Sequence, residues 1–330
     1  METKLSGIQK SSVLNNEPTL IASDFDKQLL RFVKDFCAPY DEMRKCLADV
    51  RIAATVEKET KGQDLPLWPL DTCYVYMNYL VYLYSVKYIE PKLAQNPHLL
   101  DDESQLYDMI IQPNILGGCF SWDMVRNVVH VNNKQLDNSL LDRPCSSLAK
   151  LPQWAICFNT VENNIVLDGK TIVGVIFYRN FTHLPPLESL ESPLVEAKCL
   201  DGEPAASVNH LNSIIIFHNG MIINGPQIDL CASGSVKSYL DDYSQRIKEC
   251  SNVMELSKEH TSEELVQIAK RTTKDFYGIF ALLPYLLENL DKLKNEKGEK
   301  VSFAPNPEPV KTKKGYRLFG SDGICSYYLD

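Results

Sequence analysis

The chain has 330 residues, 44% apolar and 23% charged, enough to bury one large core or two smaller ones. Its net charge of −9 disfavours broad nucleic-acid binding, because phosphate contact is carried by Lys and Arg; a local basic patch stays open. The acidic residues are scattered among apolar ones, which argues against a mimic of the DNA backbone.

The first 22 residues are polar and read as a disordered tail, ahead of a single α+β domain spanning 23–330. Ser23 and Asp24 then open a helix whose Phe25, Leu29, Phe32, Val33 and Phe36 form one apolar stripe ending before Pro39. A second helix is predicted from Asp41 to Glu59, with Met43, Cys46, Leu47, Val50, Ile52 and Ala53 on its buried side. Asp71 to Ile89 carries six tyrosines and reads as a further helix, packed on several sides. Its Tyr74, Tyr76 and Tyr84, together with Trp122, are the candidates for exposed aromatic binding residues. A helix from Asp101 to about Ile111 follows, then a strand ending at Val131 and a short helix carrying Leu136, Leu140 and Leu141.

Leu151 to Phe181 favours strands throughout. Trp154, Ile156 and Phe158 share one parity and Ala155 and Cys157 the other, so the bulky and small side chains are expected on opposite faces. Thr171 to Tyr178 is apolar on both parities, as for a strand covered on both sides, and Gly174 marks a bulge or a close backbone approach. Asp168-Gly169 and Asn219-Gly220 are turn signals, the second joining Ile214–Phe217 to Met221–Ile223 in a hairpin. The middle of the chain is therefore expected to form a central, mostly antiparallel sheet with helices before and after it. Beyond it, Ser233 or Ser235 caps a helix running to about Glu255, and Thr261-Ser262-Glu263-Glu264 fits a capping box. The helix that box opens is expected to bend at Gly278 and Pro284, and 291–314 reads as a solvated, flexible connector.

Little in the chain announces a chemistry. Ten cysteines contain no C-x-x-C pair, and Cys73, Cys119, Cys157, Cys231 and Cys325 read as buried thiols in a reducing compartment. No apolar run reaches the length of a membrane span and no secretion signal opens the sequence, so a cytoplasmic protein is expected. Phosphate-binding glycine loops, zinc-protease and nucleophile-elbow motifs are all missing, and no cofactor or metal is expected. A hydrolase would have to assemble a dispersed site, with Cys157 and either His210 or His218 as its least unfavourable members.

Leu151-Pro152-Gln153-Trp154-Ala155-Ile156-Cys157 resembles a strand motif of a family of phage and mobile-element proteins that includes a type V-A anti-CRISPR protein, an antagonist of Cas12a. Tyr79–Tyr84 is similar to that family's aromatic helix. Leu282–Leu287, with Leu283 and Pro284, resembles its later apolar helix, and Tyr316–Ile324, with Gly320 and Gly323, its closing segment. Leu151, Pro152 and Trp154 would then be structural motif residues. The resemblance implies a protein-binding module that inhibits Cas12a production by recognising the newly made N-terminal peptide, its partner being the nascent or ribosome-associated chain. The dispersed Cys/His hydrolase stands as the alternative reading.

Overall fold

The computed structural model describes residues 24–61, 73–98, 103–131, 137–151, 153–163, 165–167, 169–183, 207–242 and 276–329. Helix α1 (Phe25–Cys37) buries Phe25, Leu29, Val33 and Cys37 at steps of four, while Phe32 and Phe36 lie at the margin and stack on each other at 6.2 Å. Pro39 does not separate it from α2 (Asp41–Lys61). A 3-10 turn (Ala38–Tyr40) links the two, because a proline at a first helical position removes a donor that has no partner there. On α2, Met43, Leu47 and Ala54 are buried, Ile52 is half-buried and Ala53 exposed; the guanidinium-bearing Arg51 is buried in their place.

The tyrosine-rich stretch is not one helix. It enters as strand β1 (Val75–Tyr76), continues as α3 (Met77–Tyr84), widens into a π-helical turn (Ser85–Ile89) and ends as α4 (Glu90–Gln95). Helix α5 (Glu103–Val125) also departs from expectation, running through Pro113 and the Gly117-Gly118 pair. A Cβ on Gly118 would lie 2.2 Å from Ile214 and 2.8 Å from Tyr178, so this glycine is a point of close contact with the sheet. Packing has overridden intrinsic propensity here. Arg126, at φ 49°, turns the chain out of α5 and into β2 (Asn127–Val131).

The remaining strands are β3 (Ala155–Asn159), β4 (Val166–Leu167), β5 (Lys170–His183), β6 (Ser207–Phe217), β7 (Ile222–Asn224), β8 (Ile228–Asp229), β9 (Val310–Thr312), β10 (Gly315–Arg317) and β11 (Cys325–Leu329). The main sheet runs β11-β2-β3-β5-β6-β7, with β1 and β4 on β5 and β8 on β6. Its β3-to-β7 half is antiparallel, whereas β11, β2 and β3 are mutually parallel. The Asn219-Gly220 hairpin forms as expected: Gly220 sits at φ 77° and the Asn219 side chain accepts from the Met221 N–H at 3.1 Å. Asp168 lies outside the described residues, and Gly169 beside it takes φ 72°.

Both faces of the sheet are covered. Val173, Ile176 and Tyr178 of β5 meet α1, α3 and α5 on one side. Ile172, Val175 and Phe177 meet the other side, where α6 (Tyr277–Glu288) is buried almost all round and carries Leu283 and Pro284 into the core. Gly174 fulfils both of its expected roles. The β5–β6 register shifts between Ile172 and Gly174, and a Cβ there would lie 2.6 Å from the Phe25 ring. Ile156 and Phe158 face α6, and Ala155 and Cys157 face α1 and α5. Trp154 breaks the expected pattern: it precedes the strand and turns to the α1/α5 side. Two thiols expected inside are not, since Cys231 is exposed and Cys325 half-buried.

A helical segment at 236–242 starts at Ser235, whose Oγ accepts from the Ser238 N–H at 3.1 Å. The expected continuation to Glu255 and the Thr261 capping box lie outside the described residues, as do Leu136 and the 1–22 tail. The 3-10 turn Asn138–Asp142 stands where the short helix was expected, capped by Asp137 through the Ser139 N–H at 2.9 Å.

Residues 293–309 are polar yet anchored. Leu293 is buried, Lys294 and Tyr328 exchange backbone bonds at 3.1 and 2.9 Å, and the Ala304 carbonyl accepts from Gln153 at 2.7 Å. The Asn306 side chain accepts from the Trp154 N–H at 3.0 Å. A connector rich in charge thus becomes a strap, its buried contacts made by backbone groups and a few side chains. In Gly174→Val the added methyls have no room beside Phe25. The variant is expected to lose about 1–3 kcal/mol, seen as a lower urea midpoint at unchanged slope; an unshifted midpoint would mean that α1 yields freely.

Candidate functional site

The four aromatic residues put forward as candidates for an exposed binding surface, with core packing as the alternative, are buried: Tyr74 and Trp122 fully, Tyr76 and Tyr84 to 6% and 7% exposure. Tyr74 stacks on Trp154 at 5.3 Å, and the Arg51 guanidinium lies 4.0 Å from the Trp154 ring while donating to the Cys73 carbonyl at 2.7 Å. Burial pushes the Tyr74 hydroxyl up to about 12. Trp122 Nε1 donates to the Asn127 carbonyl at 2.9 Å, fixing the turn from α5 into β2. Tyr76 packs on Phe181, and Tyr84 joins Tyr40 and Tyr88 in a ring cluster. These rings therefore build the interior, because a segment that changes from strand to helix to π turn points successive tyrosines inward. Tyr82, at 55% exposure, is the outward ring of α3, flanked by Val81 and Val86.

Among the motif residues, Leu151 and Trp154 are buried and Pro152 lies outside the described residues. Gly320 packs on the α5 backbone, where a Cβ would sit 3.4 Å from Met124; nothing lies within 4 Å of one on Gly323.

The thiol site does not assemble. Cys157 is fully buried, and burial, followed by the nearby Asp26 charge, drives its thiol well above the ordinary value, away from the nucleophilic thiolate. It pairs with Ile176 across β5, whereas His210 pairs with Asn180. Four residues of strand, roughly 13 Å, separate those positions. His218 is exposed beyond the end of β6. Among the described residues no group of three His, Cys, Asp or Glu side chains is placed to hold a metal, and no helix is long and apolar enough to cross a membrane.

A polar cluster that the sequence did not signal sits across the parallel strands. Tyr328, His130 and Asn159 occupy one row of β11, β2 and β3. His130 stacks on Tyr328 at 4.6 Å; its Nδ1 accepts from Asn159 at 3.0 Å, and its Nε2 donates to Asp26 of α1 at 3.2 Å. The Ser326 hydroxyl donates to the same Asp26 oxygen. Because serine bonds the carboxylate and not the imidazole, the histidine is not placed to take its proton, and the group serves as a clasp between α1 and the sheet. The polar His130 inside the run Val128-Val129-His130-Val131 was the available clue.

The sheet edges are unequal. Tyr328 of β11 is already bridged by Lys294. At the opposite end, β7 pairs with β6 on one side, and among the described residues no strand covers its other side. The Met221 carbonyl accepts from the Phe217 N–H and the Gly225 N–H donates to the Ser213 carbonyl, each at 2.9 Å, so antiparallel alternation directs the backbone N–H and C=O of Ile222 and Asn224 outward. All three β7 residues are half-buried. An edge of this kind is where a further extended strand can pair.

The fold matches the crystal structure of AcrVA2 with a TM-score of 0.52 at 13% identity, covering 90% of this chain and 82% of that chain. The likeness is one of fold. No protein-family model and no curated protein matches the chain.

Trp154→Ala removes the ring on which Arg51 and Tyr74 rest and is expected to cost about 3–5 kcal/mol, read from the denaturant midpoint. An unchanged midpoint would place the ring outside the core. The raised Tyr74 value carries its own sign. Unfolded tyrosine ionises near its model value of 10, folded Tyr74 only near 12, so its contribution is whole below 10 and is lost as pH rises toward 12. Alkaline titration at 295 nm should therefore show tyrosines that ionise only as the fold melts; smooth ionisation of all sixteen without unfolding would refute this.

Proposed function

We propose that this protein binds an extended segment of a polypeptide target by strand addition along β7, as an inhibitor of mobile-element origin without turnover of its own. The carrying observation is that no strand among the described residues covers the outer side of β7, where the backbone groups of Ile222 and Asn224 point outward. Main-chain pairing there would supply affinity, and the half-buried Ile222 and Ile223 would select alternate side chains. The burial of Cys157 and its separation from His210 weigh against a thiol hydrolase.

The likeness in fold to AcrVA2, a type V-A anti-CRISPR, supports a target within host defence. The finer form of the proposal follows the motif resemblance: the target is the newly made N-terminal segment of Cas12a, and the consequence is reduced production of the effector in the bacterial cytoplasm.

Asn224→Pro tests the edge without invading the core. Proline deletes the outward N–H that an added strand needs and is tolerated at a strand edge. Co-expression with a panel of Cas12a effectors should lower effector protein and interference, and the variant should lose both effects while keeping its melting temperature. Wild-type protein that leaves effector level, interference and pull-down unchanged across the panel defeats the Cas12a assignment. A variant that acts like wild type defeats the β7 edge.

A further inference from the structure

The chain is acidic overall, yet 309–321 holds Lys311, Lys313, Lys314 and Arg317 and no acidic residue. These four are exposed, and none makes an ion pair among the described residues. The structure gathers them on the β9–β10 hairpin, a two-stranded ribbon outside the main sheet. The turn is closed by Thr312 Oγ1 donating to the Gly315 carbonyl at 2.6 Å, with Gly315 at φ 104°, which places Lys313 and Lys314 at the tip. Tyr316 donates to Glu59 of α2 at 3.0 Å and tethers one face of the ribbon. Arg317 lies across from Val310, on the opposite parity to Tyr316. Val310 is 54% exposed, and Phe319, two residues past Arg317, is 56% exposed.

The four cations outnumber the carboxylates beside them, Glu59 against Tyr316 and Glu308 ahead of β9, so the hairpin keeps a net positive charge that an arriving anion would neutralise. An exposed phenyl ring beside cations adds a stacking surface, which distinguishes an unpaired nucleic-acid strand from other polyanions. We propose that the β9–β10 hairpin is a docking surface for single-stranded nucleic acid, with Lys311, Lys313, Lys314 and Arg317 on the phosphates and Phe319 under a base. This goes beyond peptide binding: it uses a different part of the molecule and gives the protein a second partner.

The test is fluorescence anisotropy of the full chain with labelled oligouridylate and oligothymidylate across a salt series. Four phosphate contacts predict a slope of log affinity on log salt of about −3, each contact contributing about 0.7 on a single strand. Lys313→Gln/Lys314→Gln should flatten that slope by about 1.4. Phe319→Ala should weaken binding about tenfold and leave the slope alone, because stacking releases no counterions. Equal binding of the two oligomers, or a preference for RNA through its 2′-hydroxyl, supports the proposal. Undetectable binding at low salt overturns it. Polyglutamate bound as tightly as oligouridylate overturns it as well, with an acidic protein surface taking the strand's place. Asn224→Pro, run in parallel, should bind the oligomers like wild type, so failure of the peptide reading and failure of this one are told apart.

Discussion

Strand β5 cannot meet water on either side, and the rest of the structure answers to that constraint. Its run from Ile172 to Tyr178 alternates between two cores without a polar residue, so one layer of helix would leave half of it exposed. Each large apolar side chain left in solvent would forfeit about 1.5–3 kcal/mol. The chain answers with α1, α3 and α5 on one side and α6 with the 3-10 turns on the other. Closeness then becomes the limiting quantity on the α1/α5 face, where Gly174 admits the Phe25 ring and Gly118 admits Ile214 and Tyr178. Two glycines with opposite local settings, one in a strand and one in a helix, solve the same steric problem.

What was legible in the sequence depended on whether the deciding force was local. The Asn219-Gly220 turn, the stripe of α1 and the two-sided run of β5 are set by neighbours in sequence, and their patterns are explicit. Proline and the paired glycines in α5 read as interruptions because propensity weighs against them. The helix survives because its far side lies on the sheet, which no window of sequence contains. Trp154 was assigned to the face of Ile156 by parity, but parity applies only inside a strand and the strand begins one residue later. Tyr74, Tyr76, Tyr84 and Trp122 show the limit for function: aromatic abundance cannot separate a platform from a core, and burial decides for the core. The clasp of Asp26, His130, Asn159 and Ser326 joins residues up to 300 positions apart, beyond any spacing rule.

The molecule divides its surface chemistry. Apolar side chains and outward backbone groups gather at β7, which no further strand covers among the described residues, while the cationic hairpin lies on the chain leading into β11 at the other end of the strand order. A net charge of −9 conceals this, since averaging over 330 residues erases a cluster of four. Composition is a fair guide to solubility and a poor one to a local surface.

The placement of β11 bears on how the protein is made. Met124 and Arg126 accept backbone bonds from Ser321 and Cys325, and β11 then runs parallel to β2, whose own residues were synthesised about two hundred positions earlier. Until residue 329 has left the ribosome, β2 stands as an unprotected border, with Val129 and Val131 deprived of the cover that Tyr327 and Leu329 provide. The β2 side of the sheet therefore stays open until β11 has been made. A ribosome stalled before that point would hold a chain with an adhesive, strand-ready margin, and its escape from aggregation would depend on how soon β11 arrives.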